Sequence, residues 1–510
     1  MERLSDEQYL RFLVDGFVVI QPATLTETDH DYLYERARDL YGEARESAST
    51  TTHLDILGDH LLDQIPELRP LLDDPAVDGA LTGILGADYL LHPHSFLHES
   101  VPGDQPFHQD GNLPWNERGH YRSHRPDWAL IFYYPQAVDE DNGPTEIVPG
   151  TQYWTQDFET ADRWHAGDRI GRELDLGVLG APDLEARDAL LKQSLATLGI
   201  PGLERQFLHV PKGSVVVASY DLMHRGSRTI EDADDRFMFK FYFARTREPA
   251  ATEVASLPNL EAVRPEIQPI VRQIWGWSRG TDPDGMAPSV ESGEHAGMTL
   301  AHDLEAKLLV GREDQKVEAS YLLGEMATSD RAAVEVLRRA LHDDAESTRR
   351  ASMYGLRTAG AAAIEVLRDA LQAERPSTRR LATAGLGSVA AALDSTAVES
   401  LLVAMEEDPD DLVRSNAAYS LGQVVRFDAL DPAPVERIAQ RLTARLGPDV
   451  ELDNAFNASL TRSTVRQSVA YALVQLGANH LFTAPQRADL TKICESDDDR
   501  YVRGLIAASL

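Results

Sequence analysis

The chain has 510 residues, enough for two or three domains that each bury their own core. Its 83 acidic against 49 basic residues give a formal charge of -34, which repels nucleic acid and anionic membranes and argues against both as partners. One cysteine, Cys494, rules out an intrachain disulfide, and the absence of an apolar signal core or of any run near the ~20 apolar residues of a membrane helix makes a cytoplasmic protein the expectation.

Leu4-Ser5-Asp6-Glu7-Gln8 reads as a helix start, capped by Ser5 or Asp6 with acids in the first turn. The helix stops at Asp15-Gly16, and Phe17–Ile20 follows as a strand. A second helix runs from about Thr26 through Tyr41, with Leu33, Ala37 and Leu40 on one face. His53 and His60, in the loop-rich stretch after it, read as exposed. Tyr89–Ser100 is strand-like. His94 and His98 share a face of it, and His98 is a candidate substrate contact.

Phe107-His108-Gln109-Asp110 carries the strongest chemical signal. His108 and Asp110 are two residues apart, and on an extended strand such positions project to the same face. Two histidines and one carboxylate on one side of a metal, with the opposite side open, is the arrangement of non-heme Fe(II) oxygenases. The second histidine is His224, just past the apolar run Val215–Ala218. His120 and His124 lie in a loop beyond the HxD motif, and Trp128–Tyr134 is a buried strand. A turn at Asp141–Pro144 precedes a short strand, and Pro149-Gly150 forces a second turn. The insert from Thr151 to Leu208, helical around Leu184–Leu198, is placed to form a lid, with Trp154 and Trp164 as candidate substrate walls. Arg236, twelve residues past His224, opens the strand Phe237–Phe243; it can make a bidentate pair with a small dicarboxylate beside the metal.

In order and content this series resembles the phytanoyl-CoA dioxygenase family of Fe(II)/2-oxoglutarate enzymes. The matching stretches are Gly16–Ile20, His108–Asp110, Asp141–Thr151 and Pro211–Val217, completed by His224 and Arg236, over roughly the first half of the chain. The chain departs from the family in carrying Arg225-Gly226-Ser227 where Asn-x-Ser is common, and Gln152 where a histidine is common. The resemblance implies a double-stranded β-helix of the jelly-roll or cupin-like kind with flanking helices. It implies iron held by His108, Asp110 and His224, with no catalytic side chain beyond the metal centre. It further implies that 2-oxoglutarate and O2 are co-substrates, that Arg236 fixes the distal carboxylate of 2-oxoglutarate with help from Ser227 or Thr145, and that Phe132 walls the co-substrate pocket. The reaction implied is hydroxylation of an unactivated C–H bond in a small molecule or a protein side chain. A halogenase of this class lacks the carboxylate ligand, and Asp110 argues against one.

Pro249–Gly297 is rich in Pro, Gly, Glu and Ser and reads as a connecting segment, which divides the chain into an oxygenase domain at 1–250, a connection at 251–300 and a helical domain at 301–510. Beyond the connection the text repeats itself. Lys316–Gly324 is echoed at Arg349–Leu356, Arg379–Leu386, Val413–Gly422, Val465–Leu473 and Val502–Leu510, and from Leu323 the intervals are 33, 30, 35, 52 and 37 residues. Paired short helices at this spacing predict an α-solenoid, and the repeats resemble the HEAT type. Such an array serves partner binding or assembly. Two other readings stay open: a HEAT scaffold whose first domain has lost activity, and a cupin-like binding protein or isomerase with another divalent metal.

Overall fold

A computed structural model describes residues 3–46, 57–58, 61–100, 102–105, 107–110, 123–154, 184–250, 258–280, 294–427, 432–446, 464–480 and 482–510. The chain divides into two compact units. One comprises residues 1–110, 126–152 and 169–245, the other residues 111–125, 153–168 and 246–510.

The first unit opens with helix α1 (Asp6–Asp15), where Ser5 and Gln8 cap each other reciprocally. It stops at Gly16, whose φ of 87° suits glycine and whose Cβ, were there one, would lie 2.8 Å from the Gln152 Oε1. Among the described residues of the unit eight strands follow: β1 (Phe17–Ile20), β2 (Leu90–Glu99), β3 (Trp128–Tyr133), β4 (Thr145–Ile147), β5 (Gln206–Phe207), β6 (Val215–Ser219), β7 (His224–Gly226) and β8 (Phe237–Ala244). They form two antiparallel sheets, one of five strands in the order β1-β6-β3-β8-β2 and one of three in the order β5-β4-β7. This is an antiparallel domain that resembles the cupin-like architecture expected. β3 lies between β6 and β8 and is buried along its whole length, as its unbroken apolar run requires.

Helix α2 (Glu27–Glu46) is longer than the sequence suggested and covers the outer side of the large sheet. The Tyr41 hydroxyl donates to the Leu97 carbonyl and accepts from the Glu99 N–H, while Tyr34 and Tyr41 pack on Phe237. Residues of opposite parity on β8, Met238, Lys240 and Tyr242, therefore face the other side. That side carries the chemistry. Helix α3 (Pro75–Leu85) starts on Asp74, which caps it and also accepts from Ala23 and Thr24. Helix α4 (Leu184–Thr197) lies where a helix was expected within the insert.

The second unit is helical. Helix α5 (Gln268–Ser278) buries Ile270, Val271, Ile274 and Trp275, so part of the stretch read as a connection is packed helix. There follow α6 (Glu294–Val310), α7 (Glu313–Ala327), α8 (Arg331–Leu341), α9 (Glu346–Ala359), α10 (Ile364–Ala370), α11 (Pro376–Ser388), α12 (Ser395–Glu407), α13 (Asp411–Val424), α14 (Pro432–Arg445), α15 (Thr464–Asn479), α16 (Ala484–Ser496) and α17 (Arg500–Ser509). Each even-numbered helix packs on the odd one after it, and the odd helices pack in sequence from α7 to α17. The echoes found in the sequence fall on this odd row, with Leu323, Leu356, Leu386, Leu421 and Leu473 fully buried along it.

The recurring basic residue in each echo has a structural job. Arg349 donates to the carbonyls of Asp343 and Asp344, and Arg379 to those of Ala373 and Glu374, satisfying groups that the preceding helix end leaves open. Others tie one pair to the next: Lys316 to Ser347 and Thr348, Arg379 to Asp408, Arg380 to Asp410, and Gln467 to Asp499. Asp410 and Asp499 also cap α13 and α17. Small residues permit close approach: a Cβ at Gly324 would meet the Gly355 carbonyl.

The tyrosine-bearing side of this row is covered by earlier segments of the same unit. His124 bonds the Tyr321 hydroxyl (2.9 Å) and stacks 3.5 Å from the Tyr354 ring. Arg125 lies over Trp277 and donates to the Ser388 carbonyl. Glu248 accepts from the Trp277 indole and stands 3.6 Å from Arg426, which also donates to Gln475 and to the Tyr471 hydroxyl.

Candidate metal centre

His108 and His224 are brought together by backbone pairing. His108 donates to the His224 carbonyl at 3.0 Å and accepts from the His224 N–H at 2.9 Å, which sets the rings side by side with centroids 4.6 Å apart. On its other edge β7 pairs with β4, His224 opposite Ile147 and Arg225 opposite Glu146. Alternation then sorts the HxD stretch. Gln109 points away, donating to the Thr151 and Asp221 carbonyls, while His108 and Asp110 point with His224.

The ligating atoms of His108, Asp110 and His224 all lie within 4.8 Å of one another. Asp110 Oδ1 is 3.9 Å from Nε2 of each histidine. The His224 Nδ1 bonds the Leu222 carbonyl at 2.9 Å, which fixes the proton there and leaves Nε2 as the donor atom. Burial, then Lys240 and His108, pull the His224 pKa down to about 3, so its imidazole is neutral at physiological pH. The Asp110 carboxyl is held far below the ordinary range: burial alone would raise it, but Lys240 and the two histidines together outweigh that. Two imidazoles and a carboxylate form a donor set that fits a ferrous ion.

Arg236 fits an anion at the same place. It is 3 % exposed, its Nε donates to the Gly143 carbonyl at 2.8 Å, and its Nη1 is buried with no hydrogen-bond partner among the described residues. A buried guanidinium nitrogen without a partner is costly, and a ligand carboxylate would satisfy it. Gly143 makes this possible: at φ 76° its carbonyl reaches Arg236, and a Cβ would press on the Ser227 carbonyl at 2.8 Å. Tyr134 donates to Thr145 at 2.9 Å, and the Ser227 hydroxyl donates to the Pro144 carbonyl at 2.6 Å. Both hydroxyls are thereby oriented, Thr145 as acceptor and Ser227 as donor, and Ser227 is committed to the turn that carries Gly143.

Phe132 stands with its ring 5.4 Å from the His224 ring. His98 faces Met238 across the strand pair, and Lys240, Arg236, Asp110 and His108 all bear on it electrostatically; burial first, then Lys240 and Arg236, hold its pKa well below the histidine range. Trp154 is different. It is buried, and it belongs to the second unit. His124 likewise belongs to the second unit. Trp164, His53, His60 and His120 lie outside the described residues. Gln152, where the family commonly has histidine, donates to the Leu13 carbonyl and closes the end of α1.

Sequence reasoning missed Lys240. It stands opposite Phe132 and Phe96 in the sheet, with Nζ 2.6 Å from the Asp110 Oδ2 and 3.2 Å from the His224 Nε2. The available signal was a lone charge inside Phe237–Phe243, an otherwise apolar strand in a chain with six lysines.

Residues 12–237 match the family model for phytanoyl-CoA dioxygenase (PhyH). That stretch is a PhyH-family domain. The chain is thus an oxygenase, and the family's iron and 2-oxoglutarate meet a donor set and an arginine that suit them. Among solved structures, EctD from S. alaskensis with bound Fe is 16% identical over 48% of this chain and 78% of its own, with a TM-score of 0.32. The carbocyclase SnoK from nogalamycin biosynthesis, described as non-heme and alpha-ketoglutarate-dependent, is 18% identical over 48% and 85%, with a TM-score of 0.31. HygX from Streptomyces hygroscopicus is 16% identical over 51% and 94%, with a TM-score of 0.30. No curated protein matches the chain. Among the described residues, no helix is long and apolar enough to cross a membrane.

Proposed function

We propose that the first unit is an Fe(II)- and 2-oxoglutarate-dependent hydroxylase acting on an unactivated C–H bond of a small molecule or protein side chain. The observation that carries this is the convergence of His108, Asp110 and His224 donor atoms within 4.8 Å inside a PhyH-family domain. When bound, iron and 2-oxoglutarate supply the oxidation, in which O2 is reduced as the ketoacid loses CO2 to give succinate. The chain's own residues do the positioning. His224 keeps its Nε2 lone pair directed at the centre through the Leu222 bond. Arg236 offers Nη1 to the distal carboxylate of the co-substrate, and Thr145, oriented by Tyr134, offers a second polar contact. Phe132 covers the histidines with an apolar surface that excludes water, and His98 faces substrate from β2.

The helical region we read as a HEAT-type solenoid for assembly or partner binding. The ladder of side chains between successive pairs and the fixed place of each echo support that reading. A cytoplasmic location fits the composition.

The test is co-substrate turnover by the full chain. Protein purified without oxygen is given Fe(II), 2-oxoglutarate and then O2, and succinate is followed in wild type and His108→Ala. Turnover in the wild type that the variant loses supports the enzyme. Failure of the wild type to bind Fe(II) and 2-oxoglutarate would leave the scaffold reading in its place.

A further inference from the structure

Building on the ferrous, 2-oxoglutarate reading above, we infer that Lys240 is a positioning residue of the centre. It holds Asp110 by Oδ2, leaves Oδ1 to the metal, and adds a fixed positive charge that favours the anionic co-substrate.

Burying an ammonium in a sheet is costly. Lys240 is 3 % exposed in the middle of β8, where its neighbours on either side are Phe239 and Phe241. A lysine there without a partner would be strongly destabilising, and a methionine would fill the same space without penalty. Its surroundings are largely apolar: Nζ is 5.3 Å from the Phe132 ring centroid and 5.5 Å from that of Tyr242. The polar atoms it does reach belong to the donor set.

The two oxygens of Asp110 are thereby sorted. Oδ1 faces both histidine Nε2 atoms at 3.9 Å, and Oδ2 faces the ammonium at 2.6 Å. A carboxylate held this way donates one oxygen to a metal and keeps the other in a charge-assisted hydrogen bond, the arrangement by which outer contacts orient ligands. Charge follows from the same geometry. A divalent ion with Asp110 alone leaves one positive charge at the centre, whereas Lys240 restores the second. That opposes the metal and attracts a ketoacid carboxylate. At this range the repulsion outweighs the roughly 10- to 100-fold loss that misplacing a ligand costs.

The two effects have opposite signs, which separates them from packing. Mn(II), a redox-stable probe, is titrated by calorimetry into full-length wild type, Lys240→Met and Lys240→Arg, and 2-oxoglutarate is then titrated onto the Mn(II)-loaded proteins. K240M is expected to bind Mn(II) at least about tenfold more tightly and 2-oxoglutarate at least about tenfold more weakly than wild type. K240R, which keeps the charge, stays nearer wild type in both. If K240M weakens both ligands together, or leaves both unchanged, the role of Lys240 is only packing and the inference fails. Wild type that binds Mn(II) no better than His108→Ala is a separate result, and it overturns the metal-centre reading itself.

Discussion

The short ladder of Phe107–Asp110, β7 and β4 has two faces made from alternate residues of the same three stretches, and they are charged in opposite ways. On one side His108, Asp110 and His224 set three Lewis bases together. On the other, Glu146 is fully buried between two arginines, with Arg225 at 2.8 Å and Arg205 at 2.7 Å, and the Arg225 guanidinium lies over Phe107. The reverse face pairs its buried carboxylate with two guanidinium groups of the chain, so it stabilises. The front face gathers donors that an external cation would complete, so it works. Burial does not distinguish them, since Asp110 and Glu146 are both out of water. What each carboxylate is given as a partner does.

Mutation should break the two faces differently. His108→Ala is expected to lower succinate formation by on the order of a thousandfold or more while melting stays near wild type, because it removes a ligand and not a buried ion pair. Glu146→Ala should do the reverse in character, leaving the buried Arg225 guanidinium without its carboxylate and lowering unfolding free energy by about 3–5 kcal/mol in denaturant titration. A collapse of stability in H108A, or an unchanged stability in E146A, would erase the distinction. Arg236→Met sharpens it further: affinity for 2-oxoglutarate should fall about a hundredfold, as expected for a charged hydrogen-bonding partner, with metal affinity little changed.

The smallest effect is a pH dependence in the second unit. Burial, and next the Arg357 charge, hold the His124 pKa well below the histidine range. The unfolded chain therefore takes up the proton first, so stability is complete above about pH 6.5 and falls by about 1.4 kcal/mol for each pH unit below it. His124→Phe should flatten that slope between two melting series at neutral and mildly acidic pH. A slope equal to that of wild type would assign the acid sensitivity to other histidines.

Much of the first unit could be read from sequence because its signals are local. The two-residue spacing of His108 and Asp110 needs only an extended backbone, and the bridge to His224 supplies it. Gly143 announced a turn, and its carbonyl is what Arg236 holds. Lys240 was overlooked because an apolar run of seven residues conceals one polar position until a neighbouring strand shows which side it faces. Trp154 stands in the insert that the sequence offers as a lid, and only long-range packing reveals that it belongs to the second unit. In the second unit the period disclosed the paired helices, and the arginines of each echo matched turns that any reader of repeats would expect. That His124 and Glu248 cover the row could not be read there, since their partners lie far along the chain.

That covering has a consequence for how the protein is made. His124 leaves the ribosome 197 residues before Tyr321, the ring against which it settles, and the helices begin to emerge only after all the strands have been synthesised. The helical unit is completed by a piece that was delivered early and has waited. Severing the chain after residue 250 would strand His124 and Glu248 on the wrong fragment, leaving Tyr321, Tyr354 and Arg426 without the groups that cover them. A cut at the divide visible in composition therefore runs through the helical unit itself.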